Sequence, residues 1–165
     1  MHRSVTNVLF VSRENAARSL LAEACLIHLG GNKFKAYSCG VPLLSHGQPK
    51  DWTLLALQTA GISATSLQCK TWTEFTRSGA PKMDFVIALD ASTAHQHPSW
   101  PGQPETALWA FEPFVLRKNN GAAVGLETLQ TLHSLRRRIE LLLSLHSKGK
   151  TRSDLRDDLR DLGYL

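Results

Sequence analysis

One stretch near the start of the chain restricts the fold more than any other, because a strand, a polar loop and a helix follow one another directly. The segment from Val5 to Val11 is apolar and lacks polar alternation, which is typical of a central strand buried on both faces of a parallel sheet. From Arg18 onwards, apolar residues recur at helical spacing until Gly30 and Gly31 end the pattern. This unit predicts an α/β fold.

Residues 12–19, which comprise the loop between that strand and that helix and the first two helical residues, lie where an anion would bind. Successive backbone N–H groups and the positive end of the helix dipole would point at one spot. Arg18 adds a guanidinium fork suited to a tetrahedral oxyanion. The net charge of +5 and the isoelectric point of about 9.4 agree with an anionic ligand, but they agree equally with non-specific nucleic-acid contact.

The rest of the chain alternates predicted strands and helices. Further strands are predicted over 33–38, 83–89 and 107–111, and helices over 51–60, 71–79 and 125–146. Such alternation favours a parallel sheet with helices on both faces and a ligand site at the carboxyl ends of the strands. Ser12, Asp90 and Glu112 would then lie at one edge of the sheet, with Asp90 or Ser92 capping a short helix.

The 165 residues are expected to form one domain over residues 1–147, followed by a charged tail over 148–165. In the tail Leu155, Leu159 and Leu162 recur at helical spacing. The spacing predicts a helix that docks on the domain or on a second copy, which leaves a homodimer open. A basic triplet over 136–138 is interpreted as a solvated helix face rather than as a nucleic-acid contact.

No apolar run reaches the roughly 18 residues that a membrane-spanning helix needs, and the N-terminus lacks the apolar core of a signal peptide. We therefore expect a cytoplasmic protein that does not bind a membrane. Its three cysteines, Cys25, Cys39 and Cys69, are widely spaced and are interpreted as reduced. His95 and His97 lack a carboxylate or cysteine at a fitting spacing, so no metal site is expected.

The residues around the loop resemble the phosphate loop of the low-molecular-weight protein tyrosine phosphatases and the thioredoxin-coupled arsenate reductases. In that superfamily a strand is followed by Cys-x-Gly-Asn-x-x-Arg-Ser and by a helix with Ala-Glu one turn further on. This chain matches the pattern at Asn15, Arg18, Ser19, Ala22 and Glu23. Further landmarks lie over 37–40, 84–90 and 109–113. The resemblance implies a three-layer sandwich around a four-stranded parallel sheet of order 2-1-3-4.

The resemblance also implies roles for individual residues. In the family a cysteine thiolate attacks phosphorus or arsenic, an arginine holds the equatorial oxygens, and an aspartate protonates the leaving group. These roles fall on Ser12, Arg18 and Glu112. Phe114 or Trp52 would line the site beside an aromatic leaving group, although Trp52 is also interpreted as a core residue. The oxyanion-binding loop would comprise Ser12, Arg13, Glu14, Asn15, Ala16, Ala17, Arg18 and Ser19. No cofactor is implied, and the expected ligand is phosphate, sulfate or a phosphorylated molecule such as a phosphoprotein.

Four positions depart from the family pattern. Ser12 replaces the thiol, and its hydroxyl is hardly ionised near neutral pH and has no histidine nearby in the sequence. Glu14 takes a glycine position, where a positive φ would cost a side chain about 1–3 kcal/mol of strain. Ala17 removes the second loop cysteine, and Glu112 replaces the general-acid aspartate but keeps a carboxyl. Without a series of cysteines, thiol-based arsenate reduction is excluded.

Three hypotheses remain open. The first is a catalytically impaired phosphatase-like protein that still binds phosphate. The second is an active phosphomonoesterase that uses Ser12 or a directly activated water, with Glu112 as general acid. The third is an interaction module that works through the basic helix and the leucine-spaced tail. An engineered cysteine-to-serine replacement would explain Ser12 but not the other three changes, so natural divergence is favoured.

Overall fold

Within the part of the chain that the structure describes, four parallel strands form one sheet in the order β2-β1-β3-β4. The structure is a computed structural model that describes residues 5–45, 47–111 and 121–165, except for the side chains of 121–123. The strands are β1 (Thr6–Val11), β2 (Phe34–Cys39), β3 (Phe85–Ala88) and β4 (Glu105–Leu108). The helices are α1 (Arg18–Gly30), α2 (Asp51–Thr59), α3 (Thr73–Thr76), α4 (Ala91–Gln96), α5 (Gly121–His146) and α6 (Arg152–Leu162). Among the described residues, none of the helices combines the length and the apolar character that a membrane span requires.

β1 lies at the centre of the sheet because its residues suit burial on both faces. Residues 8–11 are almost fully buried, and alternate side chains face opposite sides of the sheet. Val11 lies opposite Cys39 of β2 and Ala88 of β3. This register brings the carboxyl ends of three strands to one edge, where the 12–17 loop begins.

Each face of the sheet has its own apolar core. The larger core contains Phe10 and Trp109 together with apolar side chains of α1 and α5. The smaller core, on the opposite face, contains Val11, Phe75 and Trp100. The helices that accompany the smaller core are short, since α3 has 4 residues and α4 has 6.

α6 packs against β4 and α5 at one edge of the sheet. Its three leucines, Leu155, Leu159 and Leu162, are buried in the larger core. The Trp109 indole N–H donates to the Leu159 carbonyl over 2.8 Å, and the Arg160 Nε donates to the carbonyl of Thr106 over 2.9 Å. The sequence leaves open whether the tail helix docks on the domain or on a second copy. In the structure, α6 docks on the domain of its own chain.

The predicted fold class is confirmed, including the strand order and the helices on both faces. α1 has its predicted bounds and ends where Gly31 takes a φ of 59°. The predicted bounds of the last strand are wrong, because β4 begins at Glu105 and ends at Leu108. An edge strand tolerates polar residues, so Glu105 and Thr106 do not read as strand in the sequence. α5 begins four residues before the expected position 125, and the weak helix over 71–79 is the single turn α3.

The basic triplet does not form one solvated face. Arg137 is exposed, but Arg138 is only 4% exposed and is covered by the end of α6. Its guanidinium donates to the carbonyls of Leu162 (3.0 Å) and Leu165 (2.8 Å). The interpretation as a solvated face is therefore wrong for Arg138, because a helix that follows much later in the chain packs over it.

Candidate anion-binding site

The loop between β1 and α1 is held by backbone contacts from neighbouring segments. The Ser12 N–H donates to the Cys39 carbonyl at the end of β2 (3.2 Å), and the Val41 N–H donates to the Arg13 carbonyl (2.9 Å). The Thr53 hydroxyl of α2 donates to the Ala16 carbonyl (3.0 Å). These contacts fix the path of the loop from both ends.

Gly40 allows the segment after β2 to approach this loop closely. A Cβ atom at Gly40 would lie 2.9 Å from the Arg13 oxygen and 2.9 Å from the Asn15 nitrogen. Any side chain there would therefore displace the loop backbone.

Ser12, Ser19 and Asn15 form a buried chain of hydrogen bonds. The Ser12 and Ser19 hydroxyl oxygens are 2.5 Å apart, and Ser12 is 2% exposed. The Asn15 amide donates to the Ser19 oxygen (2.8 Å), and the Asn15 side-chain oxygen accepts from the Lys70 N–H (2.7 Å). Because the Ser19 oxygen already accepts from Asn15, its own proton can point at Ser12. The arrangement would stabilise negative charge at the Ser12 position.

The strain expected at Glu14 is absent. Among the described residues other than glycine, a positive φ occurs only at Asn15 (52°) and Gln103 (49°). Asparagine tolerates the left-handed region better than other side chains, so the loop places its sharp turn at Asn15. Glu14 is exposed at the rim next to Arg13, which is also exposed.

Arg18, the first residue of α1, is held by groups at the ends of the other strands. Its guanidinium donates to the Phe111 carbonyl (3.0 Å) and lies 3.5 Å from the Asp90 carboxylate, which also accepts from the Arg13 N–H (3.1 Å). Burial alone would raise the pKa of Asp90. Hydrogen bonds from the Thr93 side chain and backbone, together with the nearby Arg18 charge, outweigh the effect of burial and lower the pKa of Asp90.

Four successive backbone N–H groups of the loop, from Glu14 to Ala17, have no hydrogen-bond partner in the described part of the chain. They lie directly before the first turn of α1, where the helix dipole is positive. Consecutive N–H groups of this kind form a concave anion-binding surface. Together with Arg18 they supply the donors that a tetrahedral oxyanion needs.

Two supports of the site were not expected from the sequence. The sequence predicts Asp90 only as a helix cap at the sheet edge, whereas in the structure it also anchors Arg18 and the Arg13 N–H. Lys70 bonds Asn15 through its backbone and pairs with Glu23 of α1 at 3.5 Å. Burial raises the pKa of Glu23, against the opposing effects of Lys70 and a hydrogen bond from Ser38. In the sequence, the position of Asp90 at the end of a predicted strand is the one feature that indicates a place in the site. No sequence feature indicates the contribution of Lys70.

The remaining predicted residues are only partly placed. Trp52 is half-buried on α2, with the Lys50 ammonium 5.9 Å from its ring centre, so its role as a substrate wall stays a prediction. Glu112 and Phe114 lie outside the described residues. Within the described residues, no group of three His, Cys, Asp or Glu side chains could hold a metal ion.

Comparison with known proteins assigns this arrangement to a family. The model of the low molecular weight phosphotyrosine protein phosphatase family matches residues 7–124, which include the loop, the whole sheet except Thr6 and the first residues of α5. No curated protein gives a significant match.

Solved structures share the fold at low sequence identity. A thioredoxin-dependent arsenate reductase from Corynebacterium glutamicum is 22% identical (TM-score 0.56), and the match covers 86% of this chain but only 65% of the reductase. An arsenate reductase in the phosphate binding state is 22% identical (TM-score 0.67), with 85% of this chain and 98% of the reductase covered. A cysteine-to-serine mutant of YwlE arginine phosphatase with a phosphorylated active site serine is 19% identical (TM-score 0.64), with 88% and 98% covered.

Proposed function

The chain belongs to the low molecular weight phosphotyrosine protein phosphatase family, and we propose that it binds phosphate or a phosphorylated ligand at residues 12–19 with impaired catalysis. The environment of Ser12 carries this proposal. In the described part of the chain, Ser19 is the one side chain that forms a hydrogen bond with the Ser12 hydroxyl. A serine without an adjacent base is a weak nucleophile, whereas the donors around it still suit an oxyanion.

Isothermal titration with inorganic phosphate tests the binding. We expect wild type and Ser12→Ala to bind, and Arg18→Gln to lose about tenfold in affinity because a charge-assisted hydrogen bond disappears. Arg137→Gln is the matched control, since Arg137 is exposed on α5, and its affinity should equal that of wild type. No binding to wild type, or equal affinity in Arg18→Gln, would refute the proposal.

A second candidate is a phosphomonoesterase that uses Ser12 or a directly activated water, with Glu112 as general acid. The YwlE mutant, which shares the fold, holds a phosphorylated active site serine, so we keep Ser12 as a candidate phosphoryl acceptor. Turnover of p-nitrophenyl phosphate that disappears in Ser12→Ala and Glu112→Gln would support this function, and activity unchanged in both would exclude it. Turnover that appears only in Ser12→Cys would mean that the thiol alone is missing.

The third hypothesis, an interaction module, has less support. Its leucine-spaced tail is α6, whose leucines are buried in the chain's own core, and its basic helix has Arg138 buried. Deletion of residues 148–165, followed by measurement of the oligomeric state, tests it. An unchanged state would exclude the module.

We further propose that the protein meets its ligand, for example a phosphoprotein, in the cytoplasm. Cys25, Cys39 and Cys69 are all free, as is usual in a reducing compartment.

A further inference from the structure

A cavity of about 540 Å³ lies on the sheet face opposite α1, beside the candidate anion-binding site. Val11, Val86 and Leu108 contribute its apolar lining from the strands. Ala88 of β3 and Ala94 of α4 also line it, and their small side chains leave the space open. The volume is in the range of sites that hold one small organic molecule.

One side of the cavity carries positive charge and an aromatic ring. Arg160 lines the cavity, and its Nε is engaged by the Thr106 carbonyl (2.9 Å). Its two terminal nitrogens have no partner among the described residues. Tyr164 also lines the cavity and is 91% exposed, so its ring is free to stack on a bound molecule.

We propose that this cavity is a binding site for a small aromatic anion. The aromatic body lies against the apolar side chains of the strands and α4, and its acidic group meets the terminal nitrogens of Arg160. Burial of apolar surface supplies the affinity, while the guanidinium selects an anion. A bare phosphate does not suit this cavity, because the apolar lining offers few donors to replace its water.

The cavity is lined by residues outside the anion-binding loop, but Thr93 and Asp90 connect it to that loop. Thr93 lines the cavity, and its N–H (2.8 Å) and hydroxyl both donate to the Asp90 carboxylate. Asp90 in turn lies 3.5 Å from Arg18. The proposal does not depend on phosphate binding at the loop, because no residue of 12–19 lines the cavity.

Fluorescence titration of the full chain with 8-anilinonaphthalene-1-sulfonate tests the proposal. We expect saturable binding at one site, weakened at least about tenfold in Ala94→Trp because the indole occupies the cavity. Ala91→Trp is the matched control, since Ala91 is exposed on the same helix and does not line the cavity. Arg160→Gln should weaken binding about threefold to fivefold, whereas Arg137→Gln should not.

The sulfonate is itself an oxyanion, so Arg18→Gln distinguishes the cavity from the loop. Binding that persists in Arg18→Gln supports the cavity. Binding that is lost in Arg18→Gln but kept in Ala94→Trp would place the probe at the loop and overturn the proposal. Circular dichroism melts verify that each variant folds. If Ala94→Trp does not fold, the binding measured with Arg160→Gln tests the proposal. Affinity unchanged in Arg160→Gln would also overturn the proposal.

Discussion

Replacing Ser12 with cysteine would turn a buried hydroxyl into a reporter of the electrostatic field in the loop. The thiolate would lie within hydrogen-bond distance of the Ser19 hydroxyl, in the loop that also carries the N–H groups of residues 14–17 and leads into Arg18, and each of these groups favours negative charge. Thiols at helix N-termini ionise well below their ordinary range. We therefore expect the alkylation rate of Ser12→Cys by iodoacetamide to have its midpoint between about pH 3.5 and pH 7.5.

The contribution of Ser19 can be derived from its hydrogen bond. A hydrogen bond to a charged group contributes about 1.5–3 kcal/mol, and one pH unit corresponds to about 1.4 kcal/mol. The Ser19 oxygen is 2.5 Å from the Ser12 oxygen. Adding Ser19→Ala to Ser12→Cys should therefore raise the midpoint by about one to two pH units. Adding Ser63→Ala, at an exposed position, should leave it unchanged.

The native cysteines do not obscure this measurement. Burial raises the pKa of Cys25 to about 11 and also raises those of Cys39 and Cys69. Alkylation below about pH 8 should therefore be specific to the introduced thiol, with wild type as the blank in peptide mass spectrometry. A midpoint at or above about pH 8.5, the value of an ordinary thiol, would refute the reasoning that the loop is an anion site.

Three further changes test other parts of the structure. Asp90→Asn should lower the free energy of unfolding at neutral pH by about 3 kcal/mol, because it removes the negative charge of a buried ion pair and leaves the positive charge of Arg18 buried without that carboxylate. Folding lowers the pKa of Asp90, so this contribution is present above its ordinary pKa of 3.8 and is lost as pH falls through the lower native value. The gap between the wild-type and Asp90→Asn urea curves should thus narrow in acid, and a constant gap would contradict this. Leu159→Ala should cost about 3 kcal/mol and lower the melting temperature by about 6–12 °C, whereas the exposed Leu126→Ala should change it little. Arg138→Met removes a guanidinium that lies 4.6 Å from the Phe111 ring centre. Because the Phe111 carbonyl holds Arg18, the phosphate affinity measured by calorimetry should fall about threefold. An unchanged affinity would exclude a connection from Arg138 to the anion-binding site through Phe111.

Local patterns in the sequence predict the elements better than the contacts between them. The strand, loop and helix over 5–30 are recognisable because apolar spacing and paired glycines mark their ends. The anchoring of Arg18 by Asp90 depends on the pairing of β1 with β3, which no local pattern encodes. The turn at Asn15 depends on how the loop closes between its fixed ends. Burial of Arg138 depends on α6, so the triplet looks solvated when the helix is considered alone.

The position of α6 also limits how this protein assembles with other molecules. An edge strand with open carbonyl groups invites another chain to extend the sheet. Here the Thr106 carbonyl accepts from Arg160 and the Gln103 carbonyl accepts from Arg152. Gly163 approaches Leu108 so closely that a Cβ would lie 2.3 Å from its carbonyl oxygen. Strand addition is therefore blocked along β4, and an oligomer of this chain would have to use another surface.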